Sequence, residues 1–256
     1  MRDNCVRLSK MVSESEYDEA REYCQTEVSS EVSLDEYGEV KARAREETEI
    51  WGNESEYWMK ILPLASDKSE SEWKFVLGNY LLAVVKECKT DGEIKDDTVI
   101  CSAAHELFSS IHFADRHKNL ALTLYHQKLG HLANSDGEFE AAIEHFGKAL
   151  RTLERTDGLG GWHHHAVCVR DFAKAKAQNL KDNEEHLDAV DVLENKISRF
   201  EEISSPTSDE FKTELEAEKH KIRAEMADII GEHGRKERHL RKYEKLNSNS
   251  SSTPTA

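Results

Sequence analysis

The stretch that most constrains this chain is Leu129 to Leu150, LGHLANSDGEFEAAIEHFGKAL. Leu129, Gly130 and Leu132 close a helical run that begins near Lys118. Asp136-Gly137 supplies a turn that tolerates positive φ, and Phe139, Ala142, Ile143, Phe146, Ala149 and Leu150 then recur at helical spacing. Two amphipathic helices joined so closely fold onto one another as an αα-hairpin. Gly130, Ala142 and Ala149 let the axes approach to about 8–10 Å, while Phe139 and Phe146 fill the adjoining holes. A single hairpin cannot bury both of its faces, so the rest of the chain must supply neighbours.

The remaining sequence is suited to that task. Three prolines and 12 glycines in 256 residues, with 34% charged side chains, fit long surface-rich helices, and the chain reads as all-α. Periodicity and breaks predict helices over 14–28, 34–51, 54–65, 70–90, 96–114, 117–135, 138–154, 162–181, 183–203 and 208–245. Capping-box spacing marks Ser13 with Glu16, Ser33 with Glu36, Ser69 with Glu72, Asp182 with Glu185 and Thr207 with Glu210. The expected organisation is a mobile N-terminus (1–12), an acidic helical region (13–66), a repeat region (67–204), a long charged C-terminal capping helix (205–246) and a disordered tail (247–256).

Leu129-Gly130, Gly137, Phe139, Ala142, Ile143, Phe146, Ala149 and Leu150 stand at the spacing of one tetratricopeptide repeat, and residues 117–154 resemble that family. His126, beside Tyr125, and Glu154 occupy the positions where the family has a bulky aromatic residue and a closing proline. Leu77-Gly78, the series Ala104, Phe108 and Ile111, and the pair Ala189 and Leu193 repeat parts of the pattern. Their offsets are 38 (104 to 142) and 47 (142 to 189), against the family's step of about 34. The resemblance implies an α-solenoid of antiparallel helix hairpins, with a closed helical bundle as the alternative. It also implies a non-catalytic scaffold or adaptor that takes a peptide or partner helix in a groove lined by the first helix of each repeat. It carries that role onto Gln127, His131 and Asn134, and onto Lys174, Gln178 and Lys181 in the following repeat.

Charge narrows the partner. A formal net charge of -16 disfavours nucleic acid and anionic membrane as broad contacts. Against that acidic background, helical spacing gathers Arg170, Lys174 and Lys181 on one side of the helix from Trp162, a stripe suited to an acidic protein or peptide. The ligand-bearing residues His163, His164, His165 and Cys168 give an alternative reading as a metal-dependent enzyme or metal sensor. They supply two ligands at helical spacing, fewer than a metal site needs. No nucleophile elbow, HExxH or GxGxxG is present, so neither an enzyme signature nor a cofactor is expected. Self-association through the last helix is a third reading. Five dispersed cysteines without a CxxC, no signal-like apolar run and no membrane-length apolar stretch lead to a cytoplasmic expectation.

Overall fold

In the computed structural model, residues 2–28, 32–50, 54–87, 94–154, 161–203 and 209–250 are described. They form α1 (Arg2–Ser13), α2 (Tyr17–Thr26), α3 (Tyr37–Ile50), α4 (Glu54–Ser66), α5 (Glu70–Glu87), α6 (Ile94–Ser109), α7 (Asp115–Ser135), α8 (Phe139–Glu154), α9 (Gly161–Asp182), α10 (His186–Ile203), α11 (Asp209–Ile229) and α12 (His233–Ser250). There is no strand among the described residues, so the all-α expectation is met.

Three local expectations are corrected. Of the first twelve residues, expected to carry no element, those from Arg2 onward belong to α1, which buries Cys5, Leu8, Ser9 and Val12. The single C-terminal helix over 208–245 is two helices, α11 and α12, separated at Gly231, whose φ is +75°. Helix also continues beyond 247, through Ser250, in a segment expected to be disordered.

The capping boxes divide into two kinds. Ser69 does cap, the Glu72 amide donating to Ser69 Oγ at 3.3 Å, whereas the Ser33 amide, which donates to Glu36 Oε2 at 2.9 Å, lies in the turn before α3 begins at Tyr37. Ser13 with Glu16 and Asp182 with Glu185 lie instead in turns where one helix ends and the next begins. The fifth pair, Thr207 with Glu210, begins outside the described residues.

Those turns are built on one plan. Ser15, Gly137, Glu184 and Gly231 all have positive φ. In each case the following glutamate, Glu16, Glu138, Glu185 or Glu232, donates its amide 2.8 Å back to the carbonyl five residues earlier. The positive-φ residue donates to the carbonyl three residues earlier, at 3.0–3.3 Å. This is the Schellman arrangement, which satisfies two of the carbonyls a helix end leaves open. The same glutamate then opens the next helix, its carbonyl accepting from Ala20, Ala142, Ala189 and Lys236 in turn. A carboxylate there also meets the positive end of the helix macrodipole. The last three turns, at 137, 184 and 231, advance by a constant 47 residues. The helices flanking them are 21 and 16, 22 and 18, and 21 and 18 residues long.

Two compact units divide the chain: Met1–Leu132 with Lys148–Gly160, and Ala133–Gly147 with Gly161–Ala256. In the first, α5 is central, buried on every side from Trp73 to Val85, and it lies against α4, α6 and α1. Phe75 meets the rings of Trp58, Phe108 and His117 there, each edge to face. Gly78 permits the close passage of α6, since a Cβ at that position would fall 2.6 Å from the Phe108 ring. In the second unit each helix lies against the next in sequence. Ala142 and Phe146 of α8 meet Phe172 and Ala175 of α9, followed by α9 with α10, α10 with α11 and α11 with α12.

Candidate functional site

The side chains of greatest chemical interest lie where α9, α10 and α11 meet. Sequence periodicity places Ala189, Leu193, Lys196 and Phe200 on one face of α10, and all four are at most 2% exposed. A lysine therefore stands where an apolar residue belongs. Its Nζ is 3.6 Å from Glu218 Oε1 of α11, beyond hydrogen-bonding range, and neither atom has a hydrogen-bond partner. The ammonium also lies 5.5 Å from the centre of the Phe200 ring.

Glu218 is shared. Lys174 of α9 approaches the same oxygen at 3.6 Å and reaches Glu225 Oε1 at 3.3 Å. Glu218 and Glu225 are two helical turns apart, so a single face of α11 presents both. Arg170 Nε donates to Asp171 Oδ1 at 2.8 Å. Burial, reinforced by Lys174 and Arg170, pushes the Lys196 ammonium down to about 7, while Glu218 and Glu225 oppose the shift. Burial pushes the Glu218 carboxyl up, but Lys174, Lys196 and Arg170 together outweigh it, and the group titrates below its ordinary range. Asp171 similarly outweighs the burial of Arg170 and holds its guanidinium above the usual value.

The residues singled out from sequence therefore have different surroundings. Arg170 and Lys174 are not an open stripe, because Asp171 and the carboxylates of α11 already neutralise them. Gln178 donates to Asp182 Oδ1 at 2.8 Å on its own helix, and Lys181 is half-buried. Asn134 is exposed beside the α7–α8 turn. Gln127 is buried and His131 half-buried in the first unit, whereas the other five belong to the second. Lys196 escaped notice in the sequence, although its place in the series 189, 193, 196, 200 was the available signal.

The metal-binding reading finds less support. Cys168 is 1% exposed, and burial with the Asp171 charge pushes its thiol up to about 12, the reverse of what ligation needs. The side chains of His163 and His164 lie outside the described residues. Among the described residues, no group of three or more histidine, cysteine or acidic side chains is arranged to hold a metal ion.

Two surfaces complete the inventory. In the first unit an open cleft of about 440 Å³ is lined by Glu16, Asp18, Glu19 and Glu70, with Arg21 tied to the Ser66 and Lys68 carbonyls at 2.6 and 2.7 Å. The Glu16 carboxyl is raised there, chiefly by Glu19. In the second unit α12 exposes Arg238, Lys242 and Lys245, which enter no ion pair among the described residues, whereas Arg235 and Arg241 are bridged to Glu232 and Glu237. No described helix is long and apolar enough to cross a membrane. No family model, curated protein or solved structure matches the chain.

Proposed function

We propose that this chain is a non-catalytic protein-interaction scaffold built as an α-solenoid of tetratricopeptide-like helix hairpins. The observation that carries the reading is the identical turn at 137, 184 and 231, each starting a new helix two residues later. Equal steps and equal turns are what a stacked repeat needs for successive hairpins to present equivalent faces. Gly137, Phe139 and Ala142 of the clearest repeat correspond to Glu184, His186 and Ala189, and to Gly231, His233 and Lys236. The third set departs most, as suits a terminal repeat: Lys236 replaces the small buried residue and bridges Asp228 at 2.7 Å.

The partner is an acidic peptide or protein segment, met by Asn134, Gln178 and Lys181 on the first helices of their hairpins. Arg170 and Lys174 are withdrawn from that surface, the first by Asp171 of its own helix and the second by Glu218 and Glu225 of α11. Parallel affinity purification of the wild-type chain and a Lys181→Glu variant tests the proposal, with a broad activity screen alongside. The expected result is a protein retained by the wild type and lost by the variant. Substrate turnover with no protein selectively retained would overturn it.

A further inference from the structure

The outermost described helix of the second unit carries two different faces. Lys236, His239, Leu240, Tyr243 and Leu246 of α12 are partly buried, and α12 lies against α11. At about 100° per residue, Arg238, Lys242 and Lys245 gather on the other side within roughly a sixth of the circumference. All three are exposed and none enters an ion pair among the described residues. The sequence of α12 holds six lysines and arginines and two glutamates, a charge of +4 in a chain of -16. The remainder therefore carries -20.

The opposite sign is displayed on α10. Asp188, Asp191 and Glu194 are exposed, likewise enter no ion pair among the described residues, and fall within about a third of the helix circumference. The basic row runs about 10 Å along its helix and the acidic row about 9 Å, at roughly 1.5 Å per residue. Both rows belong to the same unit, so every copy of the chain offers the two complementary surfaces together. A long anionic polymer or an anionic membrane approaching α12 would also meet the field of the other 20 net negative charges, whereas the row on α10 is short and discrete. Repulsion between two whole chains is screened beyond about 8 Å at physiological ionic strength, but pairs in contact are not.

We propose that the outer face of α12 is a self-association surface, with Arg238, Lys242 and Lys245 docking on the Asp188, Asp191 and Glu194 row of a second copy. Docking of this kind depends on electrostatic contacts at a rim and is correspondingly sensitive to salt.

The test is a charge exchange followed by light scattering on the full chain. One variant carries Arg238→Glu, Lys242→Glu and Lys245→Glu, the other Asp188→Lys, Asp191→Lys and Glu194→Lys, and circular dichroism confirms that both retain helix. The expected result is a wild-type mass above that of the monomer at physiological salt, returning to the monomer in about 1 M salt, where screening acts within about 3 Å. Each variant alone should be monomeric, because its two rows have the same sign, and an equimolar mixture should recover the wild-type mass. A wild-type chain that is monomeric at every concentration would overturn the proposal. So would a variant that keeps the wild-type mass, or a mixture that stays monomeric. If the α12 variant loses a different acidic protein while the wild type is itself monomeric, the face belongs to that partner and self-association is rejected.

Discussion

Lys196 shows how a single residue can be decided by its surroundings. Its native ammonium titrates near 7 against 10.5 for an unburied lysine, so between those values the unfolded state binds more protons and stability rises with pH. Below about 7 both states are protonated and the cost of burying the charge is present in full. Urea unfolding at pH 7 and pH 8.5 should show the wild type gaining stability over this interval. Lys196→Met should lose that gain, since no group then titrates at this position. Equal pH dependence in the two proteins would contradict this account. The comparison stops at 8.5 because burial pushes Cys24, Cys101 and Cys168 up to about 12, which opposes the lysine effect once unfolded thiols ionise.

Asp97 is the converse case, a buried charge that is fully paired. Its carboxylate, 3% exposed, takes Arg2 Nη2 at 2.7 Å on one oxygen and Lys128 Nζ at 2.6 Å on the other. Asp97→Ala should destabilise the chain by about 3–5 kcal/mol in chemical denaturation, because it strands two partly buried cations. A loss under about 1 kcal/mol would place the pair among ordinary surface bridges.

At the scale of elements, the turns are what distinguish the hairpins. Glu184 adopts at φ 66° a conformation that costs a side-chain-bearing residue energy and that Gly137 takes freely. Glu184→Gly should therefore raise the melting temperature, and Gly137→Ala should lower it, each by the equivalent of about 1 kcal/mol. Effects of the same sign in both would mean that side-chain contacts, rather than backbone geometry, govern these turns. Much of the helical structure was legible in sequence because apolar period and turn residues agreed, as they do from 115 to 154. Where they disagreed, the reading failed. The buried residues of α1 recur at 5, 8, 9 and 12 in good helical order, but Cys5 and Ser9 do not register as an apolar stripe and the charged residues around them read as a tail. The break at Gly231 was hidden in a charged segment whose apolar positions continue on both sides, and the glutamates at 16 and 185 imitated capping boxes because a helix start follows each of them immediately.

For the whole molecule, the proposed site was less legible than the fold. Helical spacing gathers Arg170 and Lys174 on one side of α9, but spacing within a helix cannot reveal that Glu218 and Glu225, more than forty residues away, pair with Lys174. The first unit is also connected differently from the second: α1 lies against α6 and α2 against α4, helices well separated in sequence. The repeat account therefore rests on residues 115–250. Hydrogen exchange of the intact chain at increasing urea, resolved helix by helix, tests it most directly. In a stacked repeat, stability is a sum of hairpins and their interfaces, so the account predicts that α11 and α12 open together at a lower free energy while α9 and α10 remain protected. Exchange of α9 to α12 at one common free energy, as in a closed bundle that opens all at once, would contradict it.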